Sequence, residues 1–258
     1  MTYYILRRSA LILLLSLTAA CGGSREVLPA NSANPDRFLF DRGTAELKDQ
    51  KWFNARECFR QVVDNYPQSP LRPEAKLGIG DSYLGEKSAE SLVLAANEFR
   101  EFLTFYPTHT RADYAQYKLA MSHFQQMRAP ERDQTETQEA LREFQVFFTR
   151  FPNSSLTPEV QQRFREARDR LSEAFLRVGI HYLRINWCPG AVPRFREILK
   201  DDPQFSRRDS VYFNLAECLA RADNKAEAIP YLERLLTDFV ESEHLEDAKK
   251  RLQELKPQ

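Results

Sequence analysis

Glycine is scarce in this chain: eight residues in 258, and no three stand at the spacing of a loop that cradles phosphates. Gly78 and Gly80 open such a spacing, but Tyr83 fills the slot where a third glycine belongs. Histidine is scarcer, with four: His109, His123, His181 and His244. None shares a ligand-spaced motif with another His, a Cys or an acid, so no metal site can be read from the sequence. No Ser, Cys or Thr stands in a nucleophile elbow. An excess of one charge is also missing, since Lys plus Arg and Asp plus Glu both number 37. A nucleic-acid surface needs clustered positive charge, and this balance argues against one. Finally, the longest apolar stretch, Ser9 to Ala20, falls short of the roughly 20 residues that cross a bilayer. These absences turn the reading away from catalysis, metals and cofactors and towards recognition.

What the chain does have is one motif in five copies. In the first, Ala55, Phe59, Val62 and Tyr66 stand at offsets 0, 4, 7 and 11 and Pro67 follows. Ala95, Phe99, Phe102, Tyr106 and Pro107 repeat it, as do Ala140, Phe144, Phe147, Phe151 and Pro152. Ala191, Phe195, Ile198 and Pro203 repeat it with Asp202 in the last aromatic slot, and Ala228, Leu232, Leu235 and Phe239 repeat it with Val240 for the proline. Those offsets lie on one helix face. The small Ala admits a second helix, the aromatic fills the space beside it, and the proline ends the helix. A helical hairpin repeated this way predicts an all-α fold, an α-solenoid of about five tetratricopeptide-like helical hairpins.

The ends read differently. Arg7 and Arg8 precede the apolar Ser9–Ala20 run, and residues 1–20 have the pattern of an export signal. Leu17-Thr18-Ala19-Ala20-Cys21 resembles a bacterial lipobox, which implies a diacylglycerol on the Cys21 thiol and a further acyl chain, such as palmitate, on its amine. More than one chain is what stable anchoring requires. Residues 21–35 then read as a lipidated flexible tether. Gly22, not Asp, follows the cysteine, which resembles the pattern of export to the outer membrane. The solenoid is expected over 36–256, split into N-terminal repeats (36–155) and C-terminal repeats (156–256). Cys58 reads as a small buried hydrophobe, and Cys188 and Cys218 as free thiols.

Along the solenoid, a loop is expected over Gly85–Ser91 and a charged insertion over Arg128–Thr137. Thr157 and Pro158 open one long helix to about Ile185, with Thr157 as its N-cap. Pro193 is expected in the first turn of the helix after it. His244 to Leu255 forms a final amphipathic helix that covers the apolar end. In such hairpins helix A lines the concave groove. Counting from the motif places Arg37, Phe40, Thr44, Leu77, Asp81, Tyr114, Tyr117, Met121 and Phe124 there. The aromatics and Met121 suit an extended apolar peptide. Arg163, Arg165, Arg168, Arg184 and Arg194 are candidate contacts to acidic groups.

Tyr106-Pro107-Thr108-His109-Thr110 with Tyr114 and Tyr117, Arg132-Asp133-Gln134-Thr135, and Phe151-Pro152-Asn153-Ser154 with the long helix after it resemble the BamD (YfiO/ComL) family of outer-membrane assembly lipoproteins. The resemblance spans about Asp36 to Lys256 and includes the lipobox. Thr110 and Ala120 depart from the family's usual Pro and Gly. The resemblance implies a lipid-anchored, non-enzymatic scaffold facing the periplasm from the outer membrane. It would help receive unfolded outer-membrane β-barrel clients and, through its C-terminal half and the arginines there, bind the POTRA domains of an Omp85-type barrel protein, alongside other lipoproteins of the assembly complex. It implies no cofactor and no nucleic acid. The alternatives are a pilotin-like lipoprotein for secretin assembly and a Tol–Pal or peptidoglycan-associated scaffold.

Overall fold

The computed structural model describes residues 34–256, which form eleven α-helices and no strand. The export signal, Cys21 and most of the tether lie outside the described residues. The tether's last residue, Pro35, already opens the first helix. In chain order the helices are α1 (Pro35–Lys48), α2 (Trp52–Asn65), α3 (Arg72–Glu86), α4 (Ala89–Phe105), α5 (Ala112–Phe124), α6 (Thr135–Arg150), α7 (Thr157–Arg184), α8 (Cys188–Asp201), α9 (Arg208–Arg221), α10 (Lys225–Asp238) and α11 (Leu245–Leu255). Neighbours in sequence pack against each other, giving the expected five hairpins with α11 covering the last. None of these helices is long and apolar enough to cross a membrane.

The recurring motif forms the core. Ala55, Ala95, Ala140, Ala191 and Ala228 are fully buried, and so are Phe99, Phe144, Phe195 and Leu232 in the aromatic slot. Phe59 lies between Gly43 of its own hairpin and Gly78 of the next. A Cβ on Gly43 would come within 2.9 Å of that ring, and one on Gly78 within 2.5 Å. The interior divides into three clusters, over α1–α5, α5–α7 and α7–α11.

Polar links fix the step from one repeat to the next. On the first turn of helix A, Asp36, Asp113 and Asp209 accept hydrogen bonds from Ser69, Ser154 and Ser242 in the turn that leads to the next repeat, each at 2.6 Å. Glu74 does the same for Arg111 at 2.8 Å. The fourth repeat reverses the pair: Ser172 on α7 donates to Asp202 in the turn at 2.6 Å. That explains why an acid stands in an aromatic slot. Asp202, 2% exposed, also takes both arms of the Arg165 guanidinium, at 2.8 and 2.5 Å. Arg165 is therefore spent inside the fold and is not a free contact for a partner.

Several sequence expectations need correction. The loop at 85–91 shrinks to Lys87 and Ser88, because Lys87 takes a left-handed conformation (φ 61°) and Ser88 caps α4 by accepting from the Ser91 amide. The insertion ends early, at Gln134, since the Asp133 carboxylate accepts from the Thr135 amide and starts α6 there. Thr157 is the first helical residue and not the cap. Its hydroxyl donates to the Ser154 carbonyl. Pro193 sits beyond the first turn of α8, since Cys188 and Pro189 already open that helix.

The largest correction concerns cysteine. Cys58 is free and buried, as expected, but Cys188 and Cys218 form a disulfide with Cα atoms 5.2 Å apart. The start of α8 lies against α9, and the bond joins them. Closing a loop of sequence separation 30 should contribute about 3–4 kcal/mol. A urea titration is expected to show that loss for the parent under reductant and for Cys188→Ala/Cys218→Ala, with the double variant insensitive to reductant.

Candidate functional site

The face formed by the A helices carries the candidate groove. At its N-terminal end Phe40 is half-buried, its ring edge-on to Phe59 at 5.7 Å. Further along, α3 and α5 meet at a polar centre. The Tyr114 hydroxyl lies 2.8 and 2.9 Å from the two carboxylate oxygens of Asp81, to which it donates. The Arg111 guanidinium covers the Tyr114 ring at 4.1 Å, and the Lys118 ammonium approaches it at 5.2 Å. Desolvation raises the pKa of Asp81 despite Lys118, Tyr114 and Arg111, all of which pull it down. Burial, and then the Asp81 charge, push the Tyr114 phenol well above its ordinary value. Beyond this centre Met121 and Phe124 are half-buried, and Arg163 of α7 reaches over Phe124 at 5.8 Å.

Two expected groove residues are not on the groove. Leu77 is 1% exposed and belongs to the first core cluster. It sits on α3, which is packed by helices on several sides and leaves little surface of its own. Tyr117 is 5% exposed, and its hydroxyl donates to Glu159 at 2.7 Å, so it closes the α5–α7 junction. Burial and the Glu159 carboxylate raise its pKa.

Nor do the arginines share one face. Arg163 pairs with Glu166 at 3.0 Å beside Phe124, and so joins the N-terminal groove. Arg168 lies over Phe164 at 5.7 Å. Arg194 is on α8, paired with Glu197 at 3.0 Å. Arg184 is about 30 Å along α7 from Arg163, at 1.5 Å per residue. It lines a cleft of about 420 Å³ between α7 and α9.

That cleft was not foreseen. Arg207, Arg221, Asn214 and His244 line it with Arg184. Arg207 pairs with Glu173 at 3.0 Å, while His244 stacks on Phe213 at 4.7 Å and meets the Ser210 hydroxyl at 2.9 Å. A second cleft, of about 620 Å³, opens where the insertion meets α7, with Phe124, Met127 and Pro130 on one wall. No motif announces either, because each draws residues from separate repeats. No group of His, Cys and acids among the described residues could hold a metal.

The pKa of Asp81 gives a test of the polar centre. Its folded value is raised, so ionisation costs stability, and that cost appears as pH rises through the unfolded value of about 4. Asp81→Asn removes the cost. The stability of this variant relative to the parent is expected to improve as pH rises above about 4, read from urea midpoints at successive pH values.

A family model described as outer membrane lipoprotein (YfiO) matches residues 32–222, and a tetratricopeptide repeat model matches residues 210–242. The chain is also similar to curated proteins named outer membrane protein assembly factor BamD. That of Caulobacter vibrioides is 25% identical over 210 residues, 81% of this chain and 68% of that protein. That of Xylella fastidiosa (strain 9a5c) is 24% identical over 225 residues, 83% and 76%. That of Vibrio cholerae is 25% identical over 202 residues, 74% and 81%.

Proposed function

This chain belongs to the YfiO family of outer membrane lipoproteins, and from that membership we propose that it is a scaffold of outer-membrane protein assembly. The observation that carries the proposal is the family match across residues 32–222, which takes in four whole hairpins and α9 of the fifth. The role is binding, not catalysis. The relatives described above are named as assembly factors, and none of them is a secretin pilotin or a Tol–Pal component.

The finer reading has three parts. Cys21 is the lipidated N-terminus of the mature chain and holds it to the outer membrane, facing the periplasm. The N-terminal groove receives unfolded barrel segments. A transmembrane strand offers an apolar side chain at every second position, and Phe40, Met121 and Phe124 are partly exposed apolar partners for it. The C-terminal repeats contact the POTRA domains of an Omp85-type barrel protein, with Arg184 in the α7–α9 cleft the best placed of the predicted arginines.

Two measurements test this. Affinity purification of the lipidated full-length chain from envelopes is expected to bring down an Omp85-type barrel protein. Recovery of a secretin or Tol–Pal components in its place would end the reading. A peptide copied from a client's last strand is expected to bind Phe40→Ala/Phe124→Ala about 1–3 kcal/mol more weakly than the parent, with helicity unchanged. Unchanged affinity would place the client elsewhere.

A further inference from the structure

One helix carries an apolar seam longer than the surface it covers. On α7, Val160, Phe164, Ala167, Leu171, Ala174, Val178 and Ile185 follow alternating spacings of four and three, with His181 in the one slot that breaks the apolar run. Such spacing makes a straight seam for another helix. From Val160 to Leu171 the seam packs into the α5–α7 core cluster, and Ala174 is buried too. Beyond that point the helix overshoots the third repeat. Val178 is then 40% exposed and Ile185 57%, with Trp187 at 51% just past the helix end. Few large apolar side chains are so exposed among the described residues, and three of them gather at this one corner.

The corner is rigid. Asn186 turns the chain at φ 60°, its side chain accepts from Arg221 at 3.1 Å, and the next residues lead into the Cys188–Cys218 disulfide. Trp187 is set edge-on to Tyr182 at 4.9 Å. Side chains held this way bind with little loss of freedom, and Trp and Arg are favoured binding anchors. Charge selects the occupant. Arg177 and Arg184 flank the seam on one side. Arg177 is paired with Glu131 and Glu173, whereas Arg184 has no ion-pair partner among the described residues. A second copy laid antiparallel on the seam would set this arginine flank against itself.

We propose that the exposed end of α7, from Val178 to Trp187, is a docking surface for an amphipathic helix of a partner protein whose polar flank is acidic. The seam supplies the helix-sized apolar track and Arg184 the ionic complement. The surface is separate from the groove assigned above to clients and shares Arg184 with the proposed Omp85 contact, but it stands on the exposed seam and depends on neither assignment.

The probe is a labelled amphipathic peptide about three heptads long, with Leu at the seam positions and Glu on the flanks. Its twin carries Lys on the flanks. Fluorescence anisotropy with the full chain is expected to show saturable binding of the Glu peptide. Binding should be weaker by about tenfold or more for the Lys twin and for Arg184→Ala, and absent for Val178→Asp/Ile185→Asp. Both aspartates replace exposed residues, and circular dichroism checks that the variants stay helical. No binding, equal binding of the twins, or binding untouched by the double variant would overturn the proposal. So would sedimentation showing a dimer of the chain that the double variant abolishes.

Discussion

An aromatic ring wedged between two glycine-bearing helices is the contact on which this solenoid depends. Phe59 fills the gap that Gly43 and Gly78 leave open, joining a hairpin to itself and to the next by one side chain. Neither glycine could gain even a methyl group without moving the ring. Phe99 meets Gly80 and Phe195 meets Gly179 in the same slot, with one glycine each, and Phe144 fills that slot fully buried. Each wedge touches only neighbouring helices, so the fold grows by local contacts, as repeat proteins do.

The wedges bring helices together, and the acid-to-turn links set how each repeat follows the last. Where a link keeps its ordinary sense, at Asp36, Asp113 and Asp209, helix A starts close to the linking acid. At the fourth repeat the link is reversed and helix A extends backwards by about four turns. The added length lets α7 close the third repeat with its first half and build the fourth with its second. The same length produces the surface features. It brings Arg163 to Phe124 at the groove, opens clefts beside the insertion and against α9, and leaves an apolar seam uncovered at the helix end.

Most of the fold could be read from the motif, because a wedge needs a small residue and an aromatic at fixed offsets. What failed was local or long-range. Lys87 in a left-handed turn is not a glycine and gave no warning of a short loop. Cys188 and Cys218 belong to different hairpins, and nothing in their spacing shows that α8 begins against α9. The site was less legible. Counting along a helix separates groove from core by a single residue's rotation, and α3 is packed on too many sides for that count to hold, which put Leu77 inside. Tyr117 has the residue type of a contact, but Glu159, far along the chain, takes its hydroxyl. Asp202 looked like a lapse in the motif and turns out to be the reversed link.

If the solenoid is a string of local wedges and not one shared core, damage to a wedge stays local. Native-state hydrogen exchange on Gly78→Ala measures this directly. The added methyl would meet the Phe59 ring at 2.5 Å and must displace it. Protection is expected to fall in α1 to α4 and to remain unchanged in α8 to α10. An equal loss of protection across all eleven helices would contradict the account, and so would no loss in any of them.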